Sequence, residues 1–160
     1  MTVKILIAEG HHDRHSVLAT TVAPLNADIF PATDTDEILR LCYEHTFALL
    51  IIDEALSPFD KNLDVPPLSP TTTILFIVSS TQELATPETG GQGGYIDYIS
   101  RPLTSPLLLG KIHTLLHIHR LQQELLSCKK LVQDQKNKNQ QWQQSLEQQN
   151  HYLKIGRAHV

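Results

Sequence analysis

Cysteine is nearly missing from this chain: two residues in 160, Cys42 and Cys128. Two thiols so far apart form neither a zinc ligand set nor the framework of a secreted mini-domain, and a reducing compartment accounts for them. Long apolar runs are missing too. Stretches such as ILFIV and ALLII fall far short of the roughly 20 residues that span a bilayer, and no basic, apolar, small-residue leader precedes Val3. A cytoplasmic protein with no membrane partner is expected. No glycine-rich phosphate loop follows the first apolar run, which disfavours a flavin or nucleotide binder. Basic residues are scarce in the body: residues 1–117 carry six Lys/Arg against fourteen Asp/Glu, while residues 118–160 carry seven against three. An acidic body argues against direct binding of nucleic acid, and the tail's lysines are spread among glutamines rather than gathered in a patch.

What is present suits one globular domain with an appendage: 41% hydrophobic and 19% charged residues. Short leucine-rich and β-branched runs alternate with helical patterns, the signal for an α/β fold with a parallel sheet covered on both faces. Strands are predicted at Val3 to Ala8, Asp28 to Phe30, Ala48 to Ile52, Ile74 to Val78 and Asp97 to Ser100. A first helix is predicted over His12 to Ala23, before Pro24. A second lies in TDTDEILRLCYEH, which has polar capping residues, acids in its first turn, and Ile38, Leu39 and Cys42 on one face. After the third strand, Pro58, Pro66, Pro67 and Pro70 leave room for at most a short helical piece. TQELATPETGGQGG reads as a poor, mobile helix ended by Pro87 and a glycine cluster.

A long helix should begin near Thr104, with TSP as cap and early-turn proline. Ile118, Leu125, Val132, Asn139, Leu146 and Leu153 recur every seven residues, and Leu121, Cys128, Gln135, Trp142 and Gln149 fall three beyond the first five. These are a and d positions of a heptad, and Asn139 at a is a device that selects parallel dimers. The expected domains are a body over 1–119 and a dimerising coiled coil over 120–155. Residues 156–160 break the heptad and read as an appended end or cloning remnant.

In an open doubly wound sheet, ligands sit beyond the carboxyl ends of the strands. Those ends carry Glu9, Asp53, Ser79 and Arg101: two acids, a hydroxyl and a cation. Together they suit a phosphoryl group, with one carboxylate as nucleophile, a second to help place Mg²⁺, and a donor and a cation for the equatorial oxygens. Here the sequence resembles a response-regulator receiver domain of two-component signalling, over residues 3 to about 119. LLIIDEALSP is similar to the segment bearing the phospho-acceptor, which implies that role for Asp53. LFIVSS resembles the segment with the switch hydroxyl, implying Ser79. DYISRPL resembles the family's aromatic, lysine and proline run, so Tyr98 matches the switch aromatic and Arg101 stands where the family has lysine. The resemblance implies a flavodoxin-like, five-stranded, doubly wound parallel sheet, a weak Mg²⁺ site at Glu9, Asp53 and Ala55, and a histidine kinase or phosphotransfer partner.

The chain departs from the family at this pocket. Gly10 stands where a second acid would follow Glu9, and losing one of three carboxylates weakens Mg²⁺ binding. Arg101 brings a planar fork able to pair bidentately with Asp53, where lysine is a mobile point charge. The segment after Asp53 is broken by prolines and lacks the family's usual glycine. The function expected first is therefore a non-enzymatic receiver module with Asp53 as acceptor, coupled to a dimeric coiled coil leading to an output domain. The alternatives are a phosphorylation-independent pseudo-receiver acting as a dimerisation or docking scaffold, and an aspartyl-nucleophile phosphotransferase, which would want a second acid close after Asp53; Glu54 follows directly, but strand alternation puts it on the opposite face. The histidines compete for attention: His11, His12 and His15 lie near Glu9, and His113 and His117 are four apart. With no third ligand at suitable spacing, zinc is not expected.

Overall fold

A computed structural model describes residues 2–10, 16–58, 68–79 and 94–158. Its elements are β1 (Val3–Ala8), α1 (Val17–Val22), β2 (Ala27–Ala32), α2 (Thr35–Glu44), β3 (Leu49–Asp53), a 3₁₀ turn (Glu54–Leu56), β4 (Thr73–Val78), β5 (Ile96–Ser100) and α3 (Ser105–Ala158). The five strands form one all-parallel sheet in the order β2-β1-β3-β4-β5. This is the flavodoxin-like order, in which the chain reverses direction across the sheet between β1 and β3.

The inner strands are buried on both faces, which explains the apolar runs of β3 and β4, whereas the edge strands β2 and β5 carry Asp28 and Asp97 and are only partly buried. Ile5 and Ile7 lie opposite Leu49 and Ile51. These side chains, with Leu75 and Ile77, pack on Leu18 and Val22 of α1 and on Leu108, Ile112 and Leu115 of α3. The alternate residues, among them Leu6, Leu50, Ile52 and Phe76, face Ile38 and Leu41 of α2. Leu108, Ile112 and Leu115 are spaced four and three apart, so one stripe of α3 meets the sheet.

Several boundaries differ from the sequence reading. β2 runs on through Pro31 to Ala32 because it is an edge strand paired only with β1, where a residue without an N–H is tolerated. β3 takes in Asp53. Of the first helix, the described part is Val17–Val22, capped by Ser16, whose Oγ accepts from the Ala19 N–H at 3.0 Å; its predicted start at His12 lies outside the described residues. α2 is capped at both hands: Asp34 accepts from the Glu37 N–H at 2.8 Å, and Glu37 accepts from the Thr33 N–H at 3.1 Å. A single 3₁₀ turn directly follows β3. Residues 59–67 and nearly all of TQELATPETGGQGG lie outside the described residues, and with them the expected short helical piece and the poor helix.

The run PTTT, read from sequence as loop, contains three buried threonines. Thr72 Oγ1 donates to the Phe47 carbonyl at 2.7 Å and Thr73 Oγ1 to the Ala48 carbonyl at 2.8 Å, fastening the start of β4 to the start of β3.

The chain divides into two compact units, Met1–Gln122 and Gln123–Val160. The first holds the sheet and the opening turns of α3; the second is the remainder of that helix, whose residues 123–153 are all exposed. Ile118, the first a position of the heptad, is partly buried against the core of the first unit. The exposed apolar positions of the heptad therefore start at Leu121, which is 48% exposed.

Candidate functional site

The site lies where β3, β4 and β5 end on the same edge of the sheet. Asp53 closes β3 and Ser79 follows β4. Arg101 follows β5, and its N–H donates to the Val78 carbonyl at 3.0 Å, which ties the end of β5 to the end of β4. Its side chain then reaches across: Arg101 Nη2 lies 2.6 Å from Asp53 Oδ2. The pairing is end-on rather than the bidentate fork that arginine can offer, because the other oxygen, Oδ1, accepts the Ala55 N–H at 3.1 Å. That second bond makes Asp53 the N-cap of the 3₁₀ turn, so the carboxylate is held from two sides.

The remaining predicted residues are placed as follows. Ser79 is exposed, and its backbone N–H donates to Glu54 Oε1 at 3.2 Å. Tyr98 is half-buried, its ring stacked on Phe76 at 5.8 Å between centroids on the α2 side of the sheet. Glu9 follows β1 and accepts from Ser16 Oγ at 3.0 Å. The structure thus joins Asp53 and Arg101 directly, whereas Glu9 is engaged by the cap of α1. One participant, Ser16, was missed in the sequence, and another, Glu54, was noticed but set on the wrong face. Ser16 was legible as a polar residue before VLATTV. For Glu54, strand alternation pointed to the face away from Asp53, but the chain leaves β3 at Asp53 and the 3₁₀ turn brings its carboxylate to the end of β4.

Mg²⁺ is the group that the resemblance implies, so the donors must be tested against it. Among the described residues, no three His, Cys, Asp or Glu side chains converge on one point. Asp53 Oδ2 already faces a guanidinium, Glu9 faces a hydroxyl donor, and Ala55 turns its N–H towards Asp53. A cation prefers free oxygen ligands, six of them for Mg²⁺. The described residues do not fit a resident Mg²⁺. The missing acid is a chemical loss rather than a steric one, since a Cβ built at Gly10 meets nothing within 4 Å.

No family model matches the sequence, and no curated protein does. Solved structures do match. NtrX from Brucella abortus is 18% identical with a TM-score of 0.61, over 78% of this chain and 29% of NtrX. A response regulator receiver domain (CheY-like) from Methylobacillus flagellatus is 14% identical with a TM-score of 0.56, over 72% of this chain and 99% of that one. The N-terminal domain of a response regulator/sensory box/GGDEF 3-domain protein from Carboxydothermus hydrogenoformans is 12% identical with a TM-score of 0.55, over 74% and 98%. The chain has the receiver fold.

Identities this low carry the architecture alone, and the chain spans less than a third of the length of NtrX. Asp53 and Arg101 lie together at the carboxyl edge of the sheet, the ends of the strands from which the sequence reading drew its candidates. No helix among the described residues is long and apolar enough to cross a membrane.

Proposed function

We propose that this chain is the receiver module of a response regulator, which takes its signal at Asp53 from a histidine kinase or phosphotransfer partner and passes it along α3. The observation that carries this reading is the 2.6 Å pair between Asp53 and Arg101 at the carboxyl edge of the sheet. An Asp53 oxygen attacks the phosphorus of a phosphohistidine; an acyl phosphate forms, the P–N bond breaks, and the imidazole leaves with the electron pair and takes up a proton. Arg101 sets the resting state. It neutralises the nucleophile before transfer and is placed to face the added oxygens afterwards. The module performs no turnover of its own, and its partners include a second copy, joined through the exposed seam of Leu121, Leu125, Cys128 and Val132 in a parallel coiled coil.

One set of observations favours a second reading, a scaffold that works without phosphorylation: the acceptor carboxylate is already paired with Arg101, and Glu9 is engaged by Ser16. Incubation with a small phosphodonor followed by intact-mass measurement separates the two. A single adduct on the parent protein, absent from Asp53→Asn, supports the acceptor reading. No adduct on the parent, on Arg101→Lys or on a Gly10→Asp, Arg101→Lys double variant overturns it in favour of the scaffold.

A further inference from the structure

α3 meets the opposite edge of the sheet, far along β4 from Asp53, through a histidine that the sequence did not mark. His119 is 6% exposed, and its Nδ1 is hydrogen-bonded to the backbone carbonyl of Thr71. A carbonyl can only accept, so Nδ1 carries the proton and donates it. The acceptor sits on a rigid base: Thr71 precedes the two threonines whose hydroxyls are fastened to the backbone at Phe47 and Ala48. One turn later, on the same face of the helix, Gln122 Oε1 is buried with no hydrogen-bond partner among the described residues. It lies so close to Gly94 that a Cβ there would come within 2.6 Å of it and within 2.6 Å of the Pro70 carbonyl.

We propose that His119 is a latch that fixes the rotational setting of α3 in its last turn on the first unit. The apolar contacts of Leu108, Ile112 and Leu115 are non-directional, so they resist separation more than they resist rotation. A hydrogen bond is directional, and one residue of helix turns through about 100°, so the bond to Thr71 is available in one setting only. Lys111, paired with Asp97 at 3.0 Å, supports that setting two turns earlier. Gln122 works against it, because its buried oxygen gains a partner only by moving towards water. His119 and Gln122 thus bias the same turn in opposite directions, which makes it an element with two settings. The latch requires no chemistry at Asp53, and its test is independent of phosphorylation.

Amide hydrogen exchange on the full chain reads the latch directly. His119→Leu fills the same space without a donor, and exchange over residues 116–126 is expected to rise about tenfold while amides of β1 and β3 keep their protection. His119→Asn places an N–H donor near the position of Nδ1 and is expected to restore protection. Gln122→Leu removes the opposing oxygen and is expected to slow exchange in the same segment. Unchanged exchange in His119→Leu, an equal rise throughout the sheet, or no difference between His119→Leu and His119→Asn would overturn the proposal.

Discussion

Replacing Arg101 by lysine keeps a positive charge at the pocket while removing the planar fork that reaches Asp53. The parent contact is short, 2.6 Å, but the arginine side chain is 45% exposed and the aspartate 20%. A hydrogen bond to a charged group contributes about 1.5–3 kcal/mol in mutational series, whereas exposed ion pairs measure about 0.2–1 kcal/mol. With nearly half of the guanidinium in water, screening governs, and about 1 kcal/mol is the upper end. At 1.4 kcal/mol per tenfold, that leaves Asp53 paired roughly five times as often as free. Lysine pairs less often, so the initial rate of adduct formation from a small phosphodonor should rise about two- to fivefold by this argument. Intact-mass time courses measure it, with Asp53→Asn as the blank. Salt supplies an internal control: near 1 M the Debye length shrinks to about 3 Å, and the parent rate should approach that of the variant. An equal or slower rate in Arg101→Lys, or a gap that salt leaves unchanged, would refute the reasoning.

The remaining predictions concern what holds the site in place. Ile112 is fully buried between α3 and the sheet, so Ile112→Ala should cost about 2–5 kcal/mol in urea unfolding, while Leu107→Ala, at a position 53% exposed, should stay within about 0.5 kcal/mol; equal costs would contradict the assigned helix face. Ser16→Ala removes the cap of α1 and the partner of Glu9 and should cost about 1 kcal/mol, a loss that Ser16→Thr should largely recover. Burial pushes the Cys42 thiol from 9.0 up to about 11. Its folded form therefore holds its proton where the unfolded chain has lost it, and the associated stability is intact below about pH 9 and lost as pH rises towards 11; a parent protein no more alkali-sensitive than Cys42→Ala would contradict this. Cys128 is exposed, at a d position where a parallel dimer brings two copies together. Mild oxidation should give a disulfide dimer that is lost in Cys128→Ser and retained in Cys42→Ser, and a monomer in sedimentation with no crosslink would remove the coiled coil.

Length and periodicity carried most of the fold. A run such as ILFIV, too short for a buried helix and apolar at every position, has one economical place in a soluble α/β protein, a strand covered on both faces. Such runs at β3 and β4, with the less uniform stretches VKILIA, DIF and DYIS, interleave with helical patterns to dictate the parallel sheet, and the end of each strand marks where polar groups gather. Asp53, Ser79 and Arg101 were legible for that reason. The long C-terminal helix was legible as well, because its heptad pattern is a local property of the sequence. Its limit was Ile118, whose seven-residue spacing says nothing of the core it packs against in its own domain.

What only the tertiary structure decided was the partner of each polar group. Arg101 and Asp53 are 48 positions apart, as are His119 and Thr71. Spacing can bring such groups to one edge of a sheet; it does not say that one oxygen of Asp53 faces a guanidinium and the other a peptide N–H. Nor does it show that Glu54 leaves the strand alternation, or that Thr72 and Thr73 turn inward to bond the backbone of β3. Burial of apolar side chains is non-directional and sums along a segment, so it leaves a pattern in the sequence. Hydrogen bonds depend on distances and angles set by the whole fold, so their partners appear only when the chain has closed on itself.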